Sequence, residues 1–175
     1  WKRSRLGMSR TFQLSRLMKN LSIRDNLLLS VREDDDQFSR MLLKPKPDAA
    51  FDARIRETLA FVGLAKNLGT PVTNLSYGEQ KLFDLCRALL NPHTLLLFDE
   101  PVAGVNPVIR EKLKTLMRRL RDHGESILLI EHDMDFVRSV ADRVIVMDQG
   151  AVLAEGKPEE TFKDKRVLKA YLGTA

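Results

Sequence analysis

Two adjacent carboxylates, Asp99 and Glu100, follow an apolar run at residues 95–98, Leu-Leu-Leu-Phe. Such a run predicts a buried strand that delivers both acids to its carboxyl end. Ligands of open α/β sheets bind at that edge, where a carboxylate pair suits a magnesium ion and an attacking water. A strand end whose two acids only face solvent would show the same residues. The pair is therefore a candidate catalytic and metal site, with a plainer alternative beside it.

A candidate phosphate-binding segment lies upstream, at residues 75–80, Leu-Ser-Tyr-Gly-Glu-Gln. Ser76 is placed to begin a helix, where free backbone N–H groups and the helix dipole favour an anion. Gly78 would let a ligand approach the backbone closely. The same residues also predict a capping box, with Ser76 as N-cap and Glu79 at the third helical position. Both interpretations can hold together, with Glu79 structural and the Ser76 and Gly78 side facing phosphate.

Two further polar residues lie at the ends of predicted elements. His132 comes after a second apolar run, at residues 127–130, so we expect it to face the same sheet edge as Asp99. A histidine can donate a hydrogen bond to phosphate in either protonation state, although a lone histidine at a strand end can also be structural. Asn106, directly before Pro107, predicts a helix N-cap.

The elements that must position these residues change character along the chain. Residues 14–91 predict helices. From residue 92 onward strand and helix alternate at the spacing of a parallel sheet, and residues 148–150, Asp-Gln-Gly, predict a hairpin turn. Residues 158–172 predict one or two terminal helices. The cap and stop residues behind this division are Ser22, Asp48, Gly63, Ser76, Asn106 and Gly124.

Composition narrows the class of protein. The 175 residues suffice for one domain with a subdomain, and no apolar run approaches the roughly 18 residues that span a bilayer. The single cysteine, Cys86, excludes an intramolecular disulfide. The net charge is +5, and the first 24 residues carry basic side chains but no acid. Because no aromatic side chains interleave with them, we expect a solvated surface or one facing phosphate or membrane, and no specific nucleic acid partner.

Taken in chain order, the segment at residues 75–80, the Asp99–Glu100 pair and His132 resemble the motifs in the second half of an ABC-transporter ATPase. The resemblance implies that Asp99 holds Mg²⁺, that Glu100 activates the water attacking ATP, and that His132 contacts the γ-phosphate and that water. Gln13, in the run Arg-Thr-Phe-Gln at residues 10–13, resembles the Q-loop glutamine that reaches magnesium and water.

The segment at residues 75–80 resembles the signature motif of this family, Leu-Ser-Gly-Gly-Gln. Ser76, Gly78 and Glu79 would then belong to the nucleotide site, with Tyr77 standing where the motif has its first glycine and Glu79 where it has glutamine. Asn106 stands where the D-loop of the family usually carries aspartate.

The resemblance implies an α/β chain with a partial P-loop NTPase fold, in which a helical subdomain precedes the C-terminal part of a mostly parallel sheet with helices. Residues 1–13 would be the end of the core with the Q-loop, and residues 14–91 the helical subdomain ending in the signature helix. Residues 92–156 would form the α/β catalytic core, and residues 157–175 the C-terminal helices.

A narrower resemblance is to the ATP-binding subunits of branched-chain amino acid and urea-type importers. It rests on residues 10–13, 103–107, 129–134, 154–156 and 170–173. The implied partners are integral membrane permease subunits and a second ATP-binding subunit, identical or different, which pairs head to tail. The implied location is the cytoplasmic face of the membrane, as a peripheral subunit.

The chain contains no G-x-x-x-x-G-K-[ST] phosphate loop. We therefore expect an N-terminally truncated subunit that is inactive alone. The alternative is a non-catalytic interaction module that docks on a membrane or ATPase partner. A DNA-repair ATPase of the same family would carry long heptad coiled coils, which the sequence lacks.

Overall fold

The computed structural model describes residues 7–11, 17–31 and 49–172. The chain divides into two compact units, Trp1–Ile130 and Glu131–Ala175. In the described part of the chain, no helix combines the length and the apolar character needed to cross a membrane.

A three-stranded parallel sheet forms the centre of the first unit. Its strands are β1 (Met8–Arg10), β2 (Leu95–Asp99) and β3 (Ile127–Ile130), hydrogen-bonded in the order β1-β2-β3. The two apolar runs predicted as strands are confirmed as β2 and β3. β1 was not predicted, because three residues inside a basic segment show no strand periodicity.

Four helices accompany this sheet: α1 (Ile23–Ser30), α2 (Ala49–Phe61), α3 (Tyr77–Leu90) and α4 (Pro107–Asp122). The predicted caps at Ser22, Ser76 and Asn106 are confirmed, since each side chain accepts a hydrogen bond from a backbone N–H in the first helical turn. A 3₁₀ turn at Val72–Asn74 leads into α3.

The helices bury one apolar face against the sheet and against one another. Phe61, at the end of α2, lies 4.4 Å from the Arg119 guanidinium carbon and meets the His123 ring edge-on, which joins the helical region to α4. The fully buried side chains of this core include Ile23, Leu27, Ile55, Leu59, Leu82, Phe83, Leu85, Leu90, Leu96, Phe98 and Leu113.

The second unit contains α5 (Met134–Val140), the antiparallel hairpin β4 (Val144–Asp148) and β5 (Ala151–Gly156), α6 (Pro158–Thr161) and α7 (Lys165–Leu172). The predicted hairpin turn is confirmed, and Gln149 and Gly150 both take positive φ, 47° and 82°. A small core of Val146, Phe162 and Val167 holds this unit together.

Candidate functional site

Asp99 ends β2 and lies beside the end of β1. The Arg10 guanidinium donates to the Asp99 carboxylate, with Nη2 and Oδ2 2.8 Å apart. Next along β1, the Thr11 N–H donates to the Leu97 carbonyl at 2.9 Å, and the Thr11 hydroxyl oxygen accepts from the Asp99 N–H at 3.5 Å. The Asp99 side chain keeps 25% of its surface exposed. The predicted metal residue therefore lies at the carboxyl edge of the sheet, within reach of solvent.

Glu100 adopts a backbone conformation that is unusual for a residue with a side chain, with φ of 46°. Left-handed backbone costs an L-residue roughly 1–2 kcal/mol. Two hydrogen bonds hold it, because the Glu100 N–H donates to the Ile130 carbonyl at 2.9 Å and the Glu100 carbonyl accepts from the Ala103 N–H at 3.2 Å. The chain thus leaves β2 through a tight turn at the predicted base. Such strain tends to persist at functional sites.

The capping box predicted at the start of α3 is present. The Ser76 Oγ accepts from the Glu79 N–H at 3.4 Å, and the Glu79 carboxylate accepts from the Ser76 N–H at 2.9 Å. Lys66 Nζ lies 2.8 Å from the other Glu79 carboxylate oxygen. The hydrogen bonds from Lys66 and from the Ser76 N–H hold the pKa of Glu79 below its usual range. These contacts account for Glu79 as a structural residue, and its contact with nucleotide stays a prediction.

Gly78 has a packing role that the sequence did not reveal. A Cβ at this position would lie 2.7 Å from Cγ1 of Ile109, a residue on α4. The absence of a side chain therefore allows α3 and α4 to approach closely. The sequence also predicts that Gly78 lets a ligand approach the backbone closely. The contact with Ile109 is compatible with that role, which stays a prediction.

Tyr77 links the start of α3 to the turn that follows Glu100. Its hydroxyl donates to the Ala103 carbonyl at 3.2 Å, and its ring lies against Gly104, where an added Cβ would be 3.4 Å from the ring edge. Gly104 has φ of 69°, a conformation that glycine adopts without strain. The residue that departs from the usual signature thus connects Ser76 to the Glu100 turn. Its departure from the motif was the only sequence signal.

The structure confirms a helix-capping role for Asn106, whereas the place of His132 at the site stays a prediction. The Asn106 side-chain oxygen accepts from the Ile109 N–H at 2.9 Å, which confirms the N-cap of α4; its nucleotide contact stays a prediction. His132 belongs to the second unit, its side chain is 70% exposed, and its N–H donates to the carboxylate of Glu131 at 3.3 Å. Its proximity to the other site residues stays a prediction. Gln13 lies outside the described residues.

The carboxylates at the end of β2 fit a magnesium ion. Among the described residues no group of three or more His, Cys, Asp or Glu side chains could hold a metal ion as a protein cage. Magnesium does not need one, because it usually keeps several waters and binds through one or two carboxylates together with substrate phosphates. The hard oxygen donors of Asp99 and Glu100, at an accessible sheet edge, suit that mode of binding.

A parallel sheet with carboxylates at its carboxyl edge and a capped helix near the following turn is an arrangement in which open α/β proteins bind ligands. Residues 1–103 match the ABC transporter family, and the chain belongs to that family. It is 37% identical to the high-affinity branched-chain amino acid transport ATP-binding protein LivG of Salmonella typhimurium, over 98% of this chain and 70% of that protein. It is also 37% identical to BraF of Pseudomonas aeruginosa, which carries the same description, with the same coverage.

Solved structures agree with this assignment. A nucleotide-free ATP-binding cassette from an ABC transporter is similar with a TM-score of 0.80 at 26% identity, over 99% of this chain and 71% of that one. An ATP-binding cassette in its ADP conformation is similar with a TM-score of 0.79 at 29% identity, with the same coverage. The predicted fold, a partial P-loop NTPase fold of the ABC ATPase type, is confirmed.

Proposed function

We propose that this chain is the ATP-binding subunit of an ABC importer that takes up branched-chain amino acids. The observation that carries the proposal is the 37% identity to LivG along 98% of the chain. The position of Asp99 and Glu100 at the carboxyl end of β2 supports it, because ATP hydrolysis needs carboxylates at that edge.

Each carboxylate has a separate role in this proposal. Asp99 would hold Mg²⁺ through water, and the ion would neutralise charge on the phosphates of ATP. Glu100 would accept a proton from the attacking water, and its fixed turn would keep the carboxylate in place between turnovers. His132 and Gln13 would donate hydrogen bonds to the γ-phosphate and orient that water.

Ser76 and Gly78 would close on ATP held by the opposite subunit. We propose that two ATP-binding subunits pair head to tail, so that the N-terminus of α3 meets ATP held by the phosphate loop of the second subunit. Asn106 and Glu79 would lie at the border of this surface. Integral membrane permease subunits would be the other partners, with this chain peripheral on the cytoplasmic face.

The polypeptide alone would not turn over ATP in this proposal. Its sequence has no G-x-x-x-x-G-K-[ST] run, and that run supplies the backbone N–H groups and the lysine that hold the triphosphate. Transport in its host is therefore the appropriate readout.

The experiment is uptake of labelled leucine, isoleucine and valine by host cells from which the gene has been deleted. The re-expressed wild-type gene should restore uptake, whereas the gene carrying Glu100→Gln should restore about a hundredfold less, the scale of losing a general base. Glu111→Gln, which changes an exposed glutamate on α4, is the matched control and should restore uptake fully. Uptake of an unrelated sugar should not change in any strain.

A non-catalytic interaction module that docks on a membrane or ATPase partner is the second candidate. In that case Glu100→Gln would restore uptake as well as the wild-type chain. Undiminished branched-chain amino acid uptake after deletion would contradict both candidates as components of such an importer.

A further inference from the structure

Arg10 is a cationic partner of Asp99 at the sheet edge. Its Nη2 lies 2.8 Å from the Asp99 Oδ2, in an ion pair whose side chains are 50% and 25% exposed. The pair joins the last residue of β1 to the last residue of β2.

The backbone around Arg10 is fixed to β2 on both sides of the pair. In the parallel register Arg10 lies opposite Leu97, and Thr11 donates to the Leu97 carbonyl at 2.9 Å. Thr11 is itself buried. The guanidinium therefore extends from a strand end that is hydrogen-bonded to β2 and contacts the Asp99 carboxylate.

The chemistry of the pair conflicts with metal binding at the same carboxylate. A guanidinium in direct contact with Asp99 satisfies its oxygen and repels a second cation brought to the same place. Because the pair is partly exposed, its net free energy is small and a divalent cation can displace it.

We propose that Arg10 is a counter-ion that a divalent cation displaces from Asp99, so that filling the metal site is an exchange of cations. This inference rests on the metal role of Asp99 in the proposed function. Arg10 lowers the affinity of Asp99 for a divalent cation. Once displaced, its guanidinium no longer contacts Asp99, at the edge where phosphates would bind.

The test is Mn²⁺ binding to the full chain, followed by the relaxation of water protons, with Mn²⁺ alone as the probe. Arg10→Gln should tighten Mn²⁺ binding by about two- to fivefold, the factor expected for removing an exposed competing ion pair. Arg10→Lys keeps the charge and should stay closer to the wild-type affinity. The difference between Arg10→Gln and wild type should shrink at high ionic strength, because screening weakens the competing pair.

Two control variants make the result specific to this site. Arg121→Gln removes an exposed arginine that pairs with Asp122 elsewhere, and it should leave Mn²⁺ affinity unchanged. Asp99→Asn should weaken Mn²⁺ binding, and adding Arg10→Gln to it should then have no effect. Circular dichroism of each variant confirms that it is folded.

The outcomes separate this inference from the proposed function. Unchanged or weaker Mn²⁺ binding in Arg10→Gln, with Asp99→Asn still weakening it, would overturn only the role of Arg10. Unchanged binding in Asp99→Asn would overturn the metal role of Asp99 and this inference together, while the uptake experiment would still report on transport.

Discussion

The chain turns between two elements both at the start of α3 and at the carboxyl end of β2. The two turns are stabilised in different ways. At Ser76 the side chain and the backbone N–H are both paired with Glu79 in the capping box, and the Ser76 backbone stays in an ordinary extended conformation. At Glu100 the chain adopts φ of 46° and depends on hydrogen bonds to Ile130 and Ala103, which are remote or just beyond the turn. The first region is stabilised by its own sequence, and the second is held by its surroundings.

This difference separates stability from activity. Residues at the start of α3 contribute to folding whether or not a ligand is present, so changing them should lower the free energy of unfolding in addition to any effect on nucleotide binding. Glu100 carries backbone strain, so changing it should remove activity at little or no cost in stability.

The largest change should come from Gly78→Ala. The new Cβ would lie 2.7 Å from Ile109 Cγ1, and overpacking of this kind costs about 1–3 kcal/mol, partly offset by better helix propensity. Urea unfolding followed by circular dichroism measures this loss. Labelling of Cys86 on α3 is a second probe, because burial raises the pKa of its thiol to about 12 and prevents reaction in the folded chain.

Two variants test whether the contact with Ile109 is the cause. Gly69→Ala is the matched control, because an added Cβ there would meet an Asn67 oxygen at an ordinary 3.5 Å and no closer atom of the described residues. Its free energy of unfolding should hardly change. Ile109→Ala should reduce the additional cost of Gly78→Ala. Equal costs of Gly78→Ala with and without Ile109 would contradict a packing role for Gly78.

The sequence predicted the features that depend on neighbouring residues and missed those that depend on distant ones. The capping box, the N-cap at Asn106 and the strands β2 and β3 depend on residues close in sequence, so caps and periodicity predicted them. The Gly78–Ile109 contact and the Tyr77–Ala103 hydrogen bond join segments about 30 residues apart, and no local rule encodes them. The turn at Glu100 was missed because glutamate gives no signal for positive φ.

A smaller and pH-dependent change should come from Glu79→Gln. At neutral pH the variant should lose about 0.5–1 kcal/mol, because it weakens the carboxylate contacts of the capping box and removes the charge that faces Lys66. Folding lowers the pKa of Glu79, so its stabilising contribution is complete above the pKa of the unfolded chain and is lost as the pH falls through the folded value.

Urea unfolding of the wild type and Glu79→Gln between neutral and acidic pH tests this prediction. The two stability curves should converge at acidic pH and separate as the pH rises through the carboxyl range. Curves that stay parallel throughout would show that Glu79 stabilises α3 without its charge, and the ion pair with Lys66 would then have no role in folding.

A change no larger than that of Glu79→Gln but of the opposite sign, and the sharpest test of the contrast, should come from replacing residues at positive φ with glycine. Glu100 and Gln149 have nearly the same φ, 46° and 47°, one at the proposed catalytic turn and the other in the β4–β5 hairpin. Glycine relieves roughly 1–2 kcal/mol of left-handed strain but loses part of that gain through a more flexible unfolded chain. Each variant should therefore be more stable than the wild type by about 0.5–1 kcal/mol in urea unfolding.

Uptake by the gene-deleted host separates the two positions. Glu100→Gly should fail to restore amino acid uptake, whereas Gln149→Gly should restore it fully. A loss of stability in Glu100→Gly alone would mean that the Glu100 side chain stabilises the fold, and the contrast between the two regions would then fail.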